Sequence, residues 1–334
     1  MGVKIRELLP RKEIAFDDLK GRKVAVDASN MLYQFLSSIR QPDGSLLTDK
    51  GGNVTSHLVG IFSRFTNLMS KGIELCVVFD GKPPLLKIKT REEREYRKQL
   101  AEEKLERARE EENEEAILKY SKQVTRLNQK MIDESKELSS ALGLPVIQAP
   151  SESDAQMAFM NEKNDVWACA TTDVDPLLHG APRLVTNLTL SQRRKLPSGK
   201  YVKTNPELVV LSDVLNNLGI TGDQLIVISM LIGTDYNEGV KGIGPKTALK
   251  LVKQYKNFDE LFKQVDINFN WKEVYAVFKS MPVMKNYQLK WKGVDYDKIN
   301  ELLVEKHDFS MERVENSLRK LKKEDKEQRS LFDL

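Results

Sequence analysis

Seven acidic side chains stand where a chain could do hydrolytic chemistry: Asp27, Asp80, Glu152, Asp154, Asp173, Asp175 and Asp235. The run Asp165-Val166-Trp167-Ala168-Cys169-Ala170-Thr171-Thr172-Asp173-Val174-Asp175-Pro176 breaks from apolar to polar after about six residues, and a proline follows, which favours a buried strand over a helix. Its two aspartates then lie just past the strand's carboxyl end, the edge where open α/β sheets gather ligands. Asp175 before Pro176 also reads as a helix N-cap with proline at the first helical position. Taken alone, that pattern fits a capping turn without chemistry. Lys23-Val24-Ala25-Val26-Asp27 and Glu74-Leu75-Cys76-Val77-Val78-Phe79-Asp80 repeat it, so three strands deliver carboxylates to one sheet edge. Uncompensated, such a group raises its own pKa values through repulsion. A bound cation relieves it, and all-oxygen ligands with no nearby His or Cys pair indicate Mg²⁺ or Mn²⁺ instead of zinc.

The remaining acids arrive from two further segments. Leu144-Pro145-Val146-Ile147-Gln148-Ala149 reads as a short strand leading to Ser151 as a helix N-cap, with Glu152 and Asp154 in the first turn. The helix dipole alone favours carboxylates there, but the position is again the carboxyl edge. Asp235 follows the apolar segment 225–231 within Gly233-Thr234-Asp235-Tyr236.

Basic residues stand beside these acids. From Lys87 to Glu115 nearly every residue is charged, and the stretch opens with Lys82, Lys87, Lys89, Arg91, Arg94, Arg97 and Lys98. Lys87 and Arg94, seven apart, share a helix face and suit a phosphate being cut; the alternative is a solvated helix. The spacing of Ile117, Tyr120, Val124, Leu127, Met131 and Leu138 predicts a second helix with a packed seam, the two projecting as a pair. Gly239-Val240-Lys241-Gly242-Ile243-Gly244-Pro245-Lys246 opens a helix with proline at its first position and exposes backbone N–H groups to an anion. No strand precedes it, so it reads as a hairpin between helices gripping a nucleic-acid backbone independently of sequence, or else as a plain helix–helix turn.

The elements that must hold these groups are those of an α/β protein, a central, mostly parallel twisted sheet with helices on both faces. Helices are predicted from Asp27 to about Ile39, over about 54–70 and over 208–218; a loop is predicted over 41–53, and a basic hairpin around Leu196-Pro197-Ser198-Gly199. The chain has 334 residues, 40% hydrophobic and 31% charged, enough for a large core in one domain or two closely joined ones. No run reaches the roughly 20 apolar residues of a membrane span, and no signal peptide is evident at the start, so the expectation is an intracellular, cytoplasmic protein. Cys76 and Cys169, both inside apolar strands, read as buried reduced thiols. The net charge of +4 says little by itself about a polyanionic partner.

Val26-Asp27-Ala28-Ser29, Phe79-Asp80-Gly81-Lys82-Pro83-Pro84, Gly233-Thr234-Asp235-Tyr236 and Gly242-Ile243-Gly244-Pro245-Lys246, in this order and separation, resemble the flap endonuclease family of structure-specific 5′ nucleases. The length and brief tail are similar to an archaeal member. The resemblance implies two Mg²⁺ ions held by the seven acids, with Mn²⁺ able to substitute, and cleavage of a phosphodiester at the base of a 5′ flap, with 5′ exonuclease activity, in Okazaki fragment and repair processing. It implies that Lys87 and Arg94 assist cleavage, that Gly2, Tyr33, Arg40 and Arg97 meet DNA near the cut, and that Gly242, Gly244 and Lys246 belong to a helix–two-turn–helix element able to hold K⁺. Tyr33 reads equally as an ordinary surface tyrosine. Gln328, Leu331 and Phe332 resemble a sliding-clamp-binding motif, in a chain expected to act as a monomer.

The implied organisation is an N-terminal nuclease part (1–84), a helical arch (85–135), an internal nuclease part (136–232), the helix–two-turn–helix (233–260), a C-terminal helical part (261–320) and a flexible tail (321–334). This chain departs from the family pattern in three places: Glu152-Ser153-Asp154 replaces the usual Glu-Gly-Glu, Pro176 replaces a small residue, and the tail lacks the final aromatics. A junction- or nick-directed nuclease, or a non-catalytic junction or clamp binder on the same fold, are the rival readings.

Overall fold

In the computed structural model the described residues are 3, 5–189, 193–195 and 201–332. Seven strands form one sheet: β1 (Lys12–Glu13), β2 (Lys23–Asp27), β3 (Glu74–Phe79), β4 (Val146–Gln148), β5 (Ala168–Ala170), β6 (Arg183–Thr186) and, after the separate hairpin β7 (Arg193–Lys195) and β8 (Tyr201–Lys203), β9 (Glu207–Val210). Their spatial order is β1-β9-β6-β5-β2-β3-β4, and only β9 runs against the rest. The chain moves outward from β2 to β3 and β4, then returns to place β5 on the other flank of β2. That reversal makes a crevice at the carboxyl ends of β2 and β5, where open sheets take their ligands.

Both faces of the sheet are covered, which is why its strands read as nearly unbroken apolar runs. Along β2 the side chains alternate: Val24 and Val26 join the core under α1 (Ala28–Ser38) and α2 (Ser56–Met69), while Ala25 joins the opposite core. The α1 side is completed by α5 (Gln129–Ala141), α13 (Tyr296–Ile299) and α14 (Met311–Phe332). The Ala25 side is built from α6 (Ser153–Glu162), α7 (Asp175–Leu178), α8 (Leu211–Leu218), α9 (Gly222–Ile232), α10 (Pro245–Gln254), α11 (Phe258–Lys263) and α12 (Trp271–Ser280). Cys76 and Cys169 are buried free thiols in this second core.

Above the carboxyl edge stand α3 (Ile88–Glu110) and α4 (Glu114–Gln123), packed on each other. Only Ala101, Leu105 and Ala108 of α3 are buried, and Arg126 joins its Glu95 and Glu102. The expected second arch helix is in fact two. Asn128 accepts from the Met131 N–H and starts α5 afresh, and α5 packs on α2 beneath the arch; an Asn at that position stabilises a new helix start more than it sustains a helix interior. The pair is tied back to α1, where Arg40 donates to Thr125 Oγ1 beyond α4 and to the Gly44 carbonyl at 2.7 Å.

Two other expectations are corrected. The segment 208–218 is not all helix: its start is β9, pairing antiparallel to β6, and α8 begins at Leu211. The first predicted strand of the basic hairpin is split between β6, in the main sheet, and β7, which pairs only with β8; the turn at 196–200 lies outside the described residues. The backbone is helical as far as Phe332, its Lys- and Glu-rich sequence being of good helix formers. Among the described residues no single helix is long and apolar enough to cross a membrane.

Candidate active site

All seven acids line one cavity of about 450 Å³, together with Ser29, Asn30, Tyr33, Lys87, Arg91 and Arg94. They arrive from several local devices. Asp27 ends β2 and caps α1, its Oδ1 accepting from the Asn30 N–H at 3.1 Å. Asp80 follows β3, and its Oδ1 accepts from the Ser153 N–H at 2.7 Å. The chain beside it needs Gly81, since a Cβ there would meet the Ala149 carbonyl at 2.2 Å. Glu152, not Ser151, is the N-cap residue of α6, without a side-chain cap, and Asp154 lies in its first turn. Asp175 is the first residue of α7 instead of its cap, which is Val174. Both corrections are one-residue shifts that leave the carboxylates at the same edge. Asp235 comes from the loop after α9.

The acids fall into two electrostatic groups. Asp27 is 5% exposed, and burial first, then Asp80 and Asp173, push its carboxyl up to about 7, despite hydrogen bonds from Asn30 and the Thr171 hydroxyl. Burial, then Asp173 and Asp235, raise Asp175 to about 7, although the Val3 N–H approaches it at 3.4 Å. Asp154 is raised well above the carboxylate range by burial and by Asp27, Asp175, Asp173 and Asp80, and its Oδ1 is buried with no hydrogen-bond partner. Asp173 accepts from Asn30 Nδ2 at 3.2 Å.

Glu152 and Asp235 instead meet cations. Lys87 Nζ lies 2.7 and 2.8 Å from the two oxygens of Glu152 and 3.2 Å from Asp235, which Arg94 also engages. Burial disfavours the charge on Asp235, yet Lys87 and Arg94 outweigh it and hold the group below its ordinary value. Lys87, conversely, is raised by Glu152 and Asp235 against the opposing effect of burial. Tyr236 adds a hydrogen bond to Glu152, and burial with that carboxylate raises its phenol far above the ordinary value.

These groups fit a divalent cation. Every donor is an oxygen, burial and then neighbouring carboxylates push three acids toward neutrality, and one buried carboxylate oxygen has no partner, while the ammonium of Lys87 stands in as a positive charge. Among the described residues no group of three or more His, Cys, Asp or Glu is arranged to hold an ion by itself.

The other expected site residues lie around this centre. Tyr33 is 42% exposed under the arch, with Lys98 Nζ 5.4 Å from its ring, and the two line a groove with Gln34, Lys122 and Thr125. Arg97 faces solvent beside Glu93 at 3.5 Å. Arg40 is not brought to the carboxylates; its guanidinium clamps the base of α4 as described. Gly242 has φ of +81°, Gly244 caps α10, and Lys246 is exposed with Lys241, Lys250 and Lys253. Gly2 lies outside the described residues, although Val3 beside it reaches Asp175. Gln328, Leu331 and Phe332 sit on the last turns of α14. Sequence reasoning missed Asn30, Ser153 and Thr171, which orient Asp27, Asp80 and Asp173, and gave Tyr236 no task; a polar residue within a few positions of each acid was the only local signal.

Residues 1–101 match the XPG N-terminal domain and residues 143–235 the XPG I-region. Flap endonuclease 1 of Thermococcus onnurineus is 49% identical over 97% of this chain and 95% of its own length, and that of Pyrococcus abyssi 48% over 97% and 94%. The chain belongs to the flap endonuclease family. The solved flap endonuclease-1 of Methanococcus jannaschii, 43% identical, superposes with a TM-score of 0.77 over 96% of this chain and 98% of that one. The catalytic core of Rad2 in complex with DNA substrate, 24% identical with a TM-score of 0.69 over 95% and 97%, shares the fold. Flap endonucleases are divalent-metal-dependent phosphodiester hydrolases. In this member the acids expected for that chemistry surround one cavity beneath the arch.

Proposed function

We propose that the protein is a structure-specific endonuclease that removes 5′ flaps from branched DNA and degrades from 5′ ends, serving Okazaki fragment maturation and repair. The observation that carries this reading is the convergence of seven carboxylates on one cavity whose roof supplies Lys87, Arg91 and Arg94. Two Mg²⁺ ions, replaceable by Mn²⁺, would be held by Asp27, Asp80, Glu152, Asp154, Asp173, Asp175 and Asp235; when bound they supply an activated water and stabilise the leaving oxygen.

The chain's own residues do the rest. Lys87 and Arg94, now paired with Glu152 and Asp235, are placed to donate charge-assisted hydrogen bonds to an entering phosphate. Tyr33, with an exposed ring face, offers a stacking surface at the cavity's mouth. The exposed lysines at 241, 246, 250 and 253 neutralise duplex phosphates without reading bases, and the glycine turn between them suits K⁺. The tail residues Gln328, Leu331 and Phe332 bind a sliding clamp, and the enzyme works as a monomer in the cytoplasm, associated with the nucleoid.

Cleavage of labelled flap, bubble and four-way substrates side by side tests the reading: flap is cut preferentially, and Asp173→Ala with Asp175→Ala abolishes cutting. Unimpaired flap cleavage by that double variant refutes the assigned centre, and preference for the four-way substrate refutes the flap specificity.

A further inference from the structure

Tyr236 belongs to the Gly233-Thr234-Asp235-Tyr236 run, yet the chemistry above assigns it nothing. Its side chain is 8% exposed and lies edge-on to Phe278 of α12, ring centroids 5.2 Å apart. Phe278 is in turn backed by the His179 ring at 5.4 Å, whose Nδ1 lies 3.1 Å from the Phe278 carbonyl. The phenol is therefore fixed by core packing from a helix that contributes no acid to the cavity. Its hydroxyl donates to Glu152 Oε2 at 2.8 Å across 84 positions of sequence.

The same carboxylate has a second, different holder. Lys87 Nζ contacts both Glu152 oxygens and Asp235 as well. Lys87 is a cation on a flexible stem at the foot of the arch, so a phosphate entering the cavity competes for it directly. When the lysine turns to that phosphate, Glu152 loses a charged partner at the moment its orientation matters most. Tyr236 is neutral and its ring is wedged, so its hydrogen bond persists through that exchange.

We infer that Tyr236 is a positioning residue of the metal centre, anchoring Glu152 Oε2 so that Oε1 faces the cation once Lys87 has left. The inference rests on Glu152 being a ligand. Outer-shell partners of this kind change metal affinity by roughly 10–100-fold when removed.

Tyr236→Phe deletes the hydroxyl and keeps the ring against Phe278. In the full chain without DNA, Mn²⁺ affinity read from the electron paramagnetic resonance of free Mn²⁺ is expected to fall by roughly tenfold, with the metal-free melting temperature nearly unchanged. In a Lys87→Ala background, where among the described residues the hydroxyl is the one side chain still hydrogen-bonded to Glu152, the loss is larger. In a Glu152→Gln background, adding Tyr236→Phe weakens Mn²⁺ binding no further. Asp173→Asn serves as the control for the centre itself. If Asp173→Asn weakens Mn²⁺ binding and Tyr236→Phe leaves it within twofold, the positioning role is overturned while the centre stands. A drop in melting temperature at unchanged Mn²⁺ affinity likewise makes Tyr236 a packing residue only. If neither Asp173→Asn nor Glu152→Gln alters Mn²⁺ binding, the assigned centre has failed and the inference falls with it.

Discussion

Replacing Asp27 by Asn is expected to stabilise the metal-free protein while abolishing its chemistry. The carboxyl is 5% exposed and pushed from 3.8 to about 7, by burial first and by Asp80 and Asp173 after it. With about 1.4 kcal/mol per pKa unit, ionising it in the folded, metal-free protein costs roughly 4 kcal/mol relative to the unfolded chain. The sign follows from the raised value. The folded state holds this proton more tightly, so the associated stability is complete below the ordinary carboxylate pKa and is lost as pH rises through about 7. Asn keeps the size and the acceptor for the Asn30 N–H, but the hydroxyl of Thr171 must then turn from donor to acceptor, a loss of about 1 kcal/mol. The net gain at about pH 8 in EDTA is therefore on the order of 2–3 kcal/mol, with a flatter dependence of stability on pH than the native sequence shows. Chemical denaturation in EDTA at several pH values measures it, and added Mg²⁺ is expected to raise native stability far more than that of the variant. A variant less stable than the native chain at that pH, with an unaltered slope, refutes the claim that Asp27 is held against repulsion.

Lys87→Ala or Arg94→Ala is expected to slow single-turnover flap cleavage by roughly 10²–10³-fold at saturating Mg²⁺, with DNA affinity changed only a few-fold; equal losses in both make these simple binding residues. Deleting 328–334 is expected to reduce stimulation by the clamp and spare intrinsic cleavage, and undiminished stimulation removes the tail assignment. His307 lies buried between Asp49 Oδ2 at 2.8 Å and Glu134 Oε1 at 3.2 Å, and Glu134 also meets His57 Nε2 at 3.2 Å. His307→Ala strips the ring from between two buried carboxylates and is expected to cost about 3 kcal/mol in urea denaturation, Lys130 and Lys306 compensating in part; a cost below about 1 kcal/mol shows the network is not a brace.

The strand-end acids were legible because buried parallel strands must be nearly continuous apolar runs, so the first carboxylate after each run marks the sheet's carboxyl edge. Asp27, Asp80 and Asp173 obey that rule, and Asp235 announced itself by its glycine turn. Boundaries were less legible: the caps of α6 and α7 each moved by one residue, since neighbouring polar residues compete for the same capping geometry. The break between α4 and α5 followed an Asn cap that the apolar spacing of 117–138 concealed, and β9 was too short for its period to show.

By itself, then, the chain order of apolar runs and acids determined that a parallel sheet would present its carboxylates along one edge beneath a basic helix. Which of those acids repel, which are paired, and who holds them were decided only by the tertiary fold. Lys87 meets Glu152 across 65 positions and Tyr236 meets it across 84, while Arg40 turned to the base of the arch. Such pairings are set by how helices stack on the sheet, and local periodicity carries no information about partners that only packing brings within hydrogen-bond reach.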